Sequence, residues 1–282
     1  MKLFRYIITG LGLAAVLALA VSGSACGFVK KVIAKDKLNQ GALAYNAGRT
    51  AEAARYFEDT TKLVPDEPRA WLYLGATLRK QYQATIGPER EAKIRQTLEV
   101  YNKALGLANN CQLKDNAMGY ISEIYKDLAG GEPDSAKKKE YDDKHREWLL
   151  NRANSECATT KDKATIYHSI AIGYWDCAYT QSTRYADKAK AQDPFHCRNF
   201  YYAPDKQKFD ECLAKGLEFN SKALSIDPDY TDAWSYKSLL YREKQKSTCN
   251  DADRKAAEAE AKKAADRAIE LTKQKQTQAP QG

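Results

Sequence analysis

Two residue types in this chain have chemistry to offer, three histidines and seven cysteines. His145, His168 and His196 lie in separate segments, and no spacing brings two imidazoles to one metal ion. Each reads as a structural or surface imidazole. There is no G-x-S-x-G, H-E-x-x-H or phosphate-loop pattern, so nothing supplies an activated nucleophile, a zinc-bound water or a phosphate cradle. Adjacent carboxylates such as Asp142-Asp143 sit in a Lys-rich stretch and read as solvated surface. No catalytic residue, metal or cofactor is assigned, and the chain reads as a non-enzyme. With Cys26 set aside, Cys111, Cys157, Cys177, Cys197, Cys212 and Cys249 remain, an even number that fits disulfides in an exported chain. None has CxxC spacing, which argues against a zinc ribbon, a thioredoxin-like pair or haem attachment.

Export is legible at the N-terminus. Lys2 and Arg5 precede Tyr6–Val21, an uncharged run rich in Leu, Ala and Ile, and Ser22, Gly23, Ser24 and Ala25 follow. A charged start, an apolar centre and a small-residue end describe a secretory signal over residues 1–25. Ser24-Ala25-Cys26 resembles the end of a bacterial lipobox, and the resemblance implies that Cys26 becomes a lipidated N-terminus. Gly23 departs from the aliphatic residue usual at its place. Cleavage after Ala25 without lipid, or an uncleaved anchor over Tyr6–Ala25, are the other readings. Gly27 is not the Asp that retains many lipoproteins at the inner membrane, so the lipobox reading implies the outer membrane, facing the periplasm.

The formal net charge is +8, two of it from Lys2 and Arg5. The remaining charges alternate in sign along the chain, as on a solvated helical surface. There is no nucleic-acid-binding motif, and basicity alone does not make one.

The elements that must position any site are helices. Gly41–Leu78 contains Ala53-x3-Phe57, then Pro65, then Trp71-x2-Leu74-Gly75, so small residues alternate with large ones at helical spacing. Pro228-Asp229-x3-Ala233-Trp234 repeats Pro65-Asp66-x3-Ala70-Trp71 at a distance of 163 positions. These residues resemble the tetratricopeptide (TPR) pattern of about 34 residues. The resemblance covers about Ala34–Lys273 and implies an all-α, TPR-like helical solenoid of about five helix pairs. It has lengthened helices in its second repeat around Gly87-Pro88 and one long insertion, roughly Tyr179–Asp205. Residues 26–33 are expected to form a tether, 34–273 the solenoid and 274–282 a disordered tail. The Ala-rich stretch Asp251–Lys273 reads as the terminal cap.

Carried onto this sequence, the TPR resemblance also implies a groove lined by the first helix of each repeat. Its positions are Lys35, Tyr45, Asn46, Arg69, Arg79, Lys80, Tyr125, Lys126, His168, Trp175, Asp176, Ser235 and Arg242. Basic groups interspersed with aromatics suit an extended, acidic or carboxylate-ended peptide. The two-edged geometry of such repeats pairs Cys111 with Cys157 and leaves Cys177, Cys197, Cys212 and Cys249 on the other edge with their connectivity open. The aromatic segment Asp193–Pro204 either packs back on the fourth repeat or docks a partner. The expected function is a protein-binding scaffold in the bacterial envelope, tethered through Cys26. The alternative is a soluble periplasmic protein whose groove takes a peptide or glycan.

Overall fold

The computed structural model describes residues 27–184 and 206–278. Among them are ten helices and no strand. These are α1 (27–46), α2 (Thr50–Leu63), α3 (Pro68–Gln83), α4 (Pro88–Leu107), α5 (Cys111–Gly131), α6 (Ser135–Ala153), α7 (Thr160–Arg184), α8 (Lys206–Ile226), α9 (Thr231–Ser247) and α10 (Asp251–Gln278). They form five consecutive pairs in the expected TPR-like, all-α arrangement. The chain divides into two compact units, Met1–Trp148 and Leu149–Gly282.

Short signals in the sequence start and stop these helices. Gly48 at φ 75° ends α1, and Gly87 at φ 74° precedes Pro88, the first residue of α4. Other N-termini are capped by side chains, which satisfy amide donors that have no intrahelical partner. Asn110 Oδ1 accepts from Leu113 N–H at 3.0 Å, and Asp134 Oδ1 accepts from Ala136 and Lys137 at 3.0 and 2.8 Å. At α7 the cap is reciprocal: Thr159 N–H donates to Asp162 Oδ2 at 3.0 Å, and Asp162 N–H donates to Thr159 Oγ1 at 3.1 Å.

The first unit is built on glycines facing rings. A Cβ on Gly41 would lie 2.6 Å from the Phe57 ring, and one on Gly75 would lie 2.5 Å from the Tyr101 ring. Hydrogen at these two positions lets paired helices approach until the ring fills the contact. Both rings are fully buried, with Ala53, Ala70, Leu74 and Leu78 around them. In the second unit a Cβ on Gly216 of α8 would lie 2.6 Å from Leu240 of α9, so there the close approach is to an aliphatic side chain of the next repeat. The two tryptophans in matching positions are held alike. Trp71 Nε1–H donates to Pro65 O at 2.8 Å, and Trp234 Nε1–H to Pro228 O at 2.7 Å. The repeated seven-residue spacing therefore encodes one junction used twice.

Three boundaries differ from expectation. Residues 27–33 belong to α1 and are not a separate tether; Lys, Val, Ile and Ala continue the helix without a break. At the other end α10 runs through Gln274–Gln278, where a disordered tail was expected. Lys275 Nζ donates to Thr231 Oγ1 at 2.7 Å and Gln274 Nε2 to Glu270 Oε1 at 3.1 Å, so a segment without an apolar pattern is still held. Tyr179–Arg184 continues α7 instead of opening the insertion. Gln181 and Ser182 are buried there, and Ser182 Oγ donates to the buried Glu243 carboxylate at 2.6 Å. The Asp193–Pro204 segment and Cys197 lie outside the described residues.

Candidate functional site

In the first unit the predicted groove cations are largely occupied by carboxylates of the same chain. Arg79 on α3 donates from Nε and Nη2 to Asp127 Oδ2 on α5, at 3.1 and 3.0 Å. The same oxygen accepts from Tyr82 Oη at 2.9 Å and Gln83 Nε2 at 3.2 Å. Glu123 lies 3.6 Å from Arg79 and 3.9 Å from Lys126. Burial, together with the Asp127 carboxylate, pushes the Tyr82 phenol well above its ordinary range. This cluster ties the first helices of two successive repeats together. It is packing chemistry, and Arg79 is not a cation waiting for a ligand.

Arg69 is also committed. It makes a two-pronged pair with Glu67, the cap of α3, at 2.8 and 3.0 Å. That hydrogen bond holds the Glu67 carboxyl below its usual value. Lys80 stands 3.7 Å above the Tyr45 ring, a cation–π contact within the groove face. Lys144 lies 5.6 Å over Tyr125. Asn46 is exposed. Lys35 and Arg69 do come together, lining one open cleft of about 310 Å³ with Ala34, Leu38, Thr60 and Val64. An acidic ligand would have to displace internal pairs over most of this face, so the structure lends no support to that part of the expectation.

His145 belongs to the fold. Its Nδ1–H donates to Ser122 O at 2.9 Å, with Ser122 Oγ at 3.0 Å, which ties α6 to α5. Burial holds the imidazole below its ordinary pKa.

The second unit has a different surface. His168 and Trp175 on α7 join three tyrosines in a continuous aromatic row. His168 is edge-on to Tyr230 and Tyr236 at 4.8 and 5.2 Å. Trp175 meets the edge of Tyr236 at 5.5 Å and stacks on Tyr179 at 5.3 Å. Tyr179 forms the exposed end of the row, with Lys246 over its face at 5.4 Å. His168 is buried, and burial lowers its pKa against a weaker opposing pull from Asp232. Its Nδ1 and the Trp175 Nε1–H are buried and have no hydrogen-bond partner among the described residues. Asp176 and Arg242 are exposed, and Ser235 Oγ donates to Thr231 O at 3.2 Å. Tyr179 and Tyr236 were missed in the sequence, though a signal existed: His168, Trp175 and Tyr179 are spaced by seven and then four, which places them on one helical face.

Beneath this row, Cys177 on α7 is bonded to Cys212 on α8, with Cα atoms 5.9 Å apart. That is one of the pairings left open by the sequence. Cys111, Cys157 and Cys249 are also disulfide-bonded. Cys26, Cys197 and His196 lie outside the described residues. Among the described residues no group of His, Cys, Asp or Glu is placed to hold a metal ion, and no helix is long and apolar enough to cross a membrane.

Comparison with known proteins bears on the fold. No family model and no curated protein matches the chain. Among solved structures, a double mutant of MamA from RS-1 superposes over 87% of this chain and 97% of its own, at 15% identity and a TM-score of 0.50. YrrB, described as a TPR protein with an unusual peptide-binding site, covers 83% of this chain and 84% of its own at 12% identity and a TM-score of 0.44. TTC0263, a thermophilic TPR protein from Thermus thermophilus, covers 85% and 97% at 16% identity and a TM-score of 0.41. At 15% identity the likeness to MamA is one of fold alone.

Proposed function

We propose that this chain, tetratricopeptide-type in its fold, is a non-catalytic adaptor of the bacterial cell envelope. It is exported, tethered to the outer membrane through lipid on Cys26, and holds another protein in the periplasm by an extended segment. The observation that carries the binding role is the aromatic row His168, Trp175, Tyr179 and Tyr236 on the first helices of two successive repeats. Aromatic faces offer large contact area at small entropic cost, and the Tyr hydroxyls add a polar edge that can meet a peptide backbone. The neutralised first unit favours a ligand without strong net acidity. Support for the tether is the Ser24-Ala25-Cys26 sequence alone.

A photo-crosslinking amino acid in place of Tyr179, activated in intact cells, tests the binding role. A defined crosslinked protein is expected, and the same residue placed at Asn46 in the first unit serves as comparison. Equal or absent crosslinking from position 179 would argue against the role. Mass spectrometry of the mature N-terminus tests the tether, since an unmodified terminus removes it.

A second reading keeps one supporting observation. The same aromatic row can stack against sugar rings, so a soluble periplasmic protein taking a glycan is its rival. Tight binding of a purified oligosaccharide that is abolished by Trp175→Ala would favour that reading over a protein partner.

A further inference from the structure

α1 has two apolar faces, and among the described residues only one is packed against the rest of the fold. Ala34 and Leu38 are buried against the first repeat, and Gly41 meets Phe57 on the same side. Phe28, Val29, Val32 and Ile33 are 69%, 53%, 53% and 43% exposed. At about 100° per residue these four fall within an arc of roughly 140°, centred almost opposite the buried face. Four large apolar side chains in one stripe differ from singly scattered exposed hydrophobics, which need no explanation. Lys30 and Lys31 are exposed beside the stripe. No acidic residue precedes Asp36 anywhere in the sequence.

We infer that this stripe is a second membrane contact, which lays the start of α1 on an anionic phospholipid surface. Three features choose a bilayer over other occupants. Residue 27, the neighbour of Cys26, is already helical, so no flexible linker follows the lipidation candidate before α1. An apolar stripe with lysines on its flanks is the composition of helices that lie in the headgroup region. The uninterrupted positive charge up to Lys35 complements anionic headgroups. The acyl chains would hold the protein at the membrane, and the stripe would set how the first repeat meets it. The inference rests on the export-and-tether reading for its location.

The test separates the two. The mature chain carrying Cys26→Ser has no lipid and retains every described residue, and it is sedimented with phosphatidylethanolamine vesicles with or without phosphatidylglycerol. Binding is expected only to the phosphatidylglycerol vesicles, and to weaken by about tenfold or more in Phe28→Ser/Val32→Ser and in Lys30→Glu/Lys31→Glu. Far-UV circular dichroism should be unchanged, because these side chains contribute nothing to the core. Binding that is absent, equal on neutral vesicles, or unaffected by the substitutions overturns the inference. So does a dimer in sedimentation velocity that Phe28→Ser/Val32→Ser abolishes, since the stripe would then cover a second copy. If Cys26→Ser ignores vesicles while the native N-terminus carries lipid, the surface contact fails and the tether stands. An unmodified native terminus with vesicle binding intact gives the reverse.

Discussion

Replacing Asp127 by Ala should loosen the first unit and leave the second untouched. One oxygen, Asp127 Oδ2, accepts from Arg79, Tyr82 and Gln83. Tyr82 is fully buried, so its hydroxyl loses a charged acceptor and gains no water; that costs about 1–3 kcal/mol. The Arg79 and Asp127 side chains are 22% and 25% exposed, and Arg79 keeps Glu123 at 3.6 Å. The ionic part is therefore worth less than a fully buried pair, about 1 kcal/mol. Together the loss is about 2–4 kcal/mol. A chain with two units need not unfold in one step, so a single melting curve is a poor readout. Native-state hydrogen exchange resolved by mass spectrometry reports α3 and α5 separately from α7 and α9. Opening of α3 and α5 should become about 30-fold or more easier in Asp127→Ala, with exchange in the second unit unchanged. In a double-mutant cycle with Tyr82→Phe the coupling should be about 1 kcal/mol or more. A change below about 0.5 kcal/mol in α3 and α5 would refute the view that this cluster joins the two repeats.

Other consequences follow from the same packing. Gly75→Ala places a methyl 2.5 Å from the Tyr101 ring and should destabilise the first unit by about 1–3 kcal/mol, seen as a lower urea midpoint. Tyr101→Phe should be neutral or stabilising, because the buried Tyr101 hydroxyl has no partner among the described residues; a loss above about 1 kcal/mol would show that it has one. Burial lowers the pKa of both His145 and His168 below the unfolded value of about 6.5, so the folded state binds fewer protons between the two values. Their contribution is complete above about pH 6.5 and is lost as pH falls through that value towards the folded pKa values. Urea midpoints at about pH 7.5 and 5.5 should differ in that direction, and His145→Gln/His168→Gln should flatten the difference.

The parts of the fold that are legible depend on residues near one another in sequence. Trp71 and Trp234 reach the carbonyl six residues back, and Gly41 and Gly75 each face a ring on the second helix of their own repeat. Arg79 cannot be read this way. Its partner Asp127 is 48 residues away, and nothing local to Arg79 marks it as paired. The same holds at the chain's end, where Lys275 finds Thr231 across 44 residues and extends a helix that its polar sequence does not advertise. Register places His168 and Trp175 on the predicted groove, but Thr180 to Arg184 are all polar, so the apolar helical pattern stops at Tyr179. What continues α7 beyond it is a buried polar pair, Ser182 with Glu243. Sequence patterns report apolar burial well and satisfied polar burial poorly.

Everything proposed for the partner depends on the aromatic row of the fourth and fifth repeats holding an extended protein segment. Selecting peptides from a random library on the purified protein, and then titrating the enriched ones calorimetrically, tests this directly. Enriched peptides are expected whose affinity falls about tenfold or more, a loss of about 1.4 kcal/mol or more, in Tyr179→Ala and Trp175→Ala, and is unchanged in Asn46→Ala. Peptides that bind both aromatic variants as tightly as the native chain, or a selection that enriches none, would contradict it.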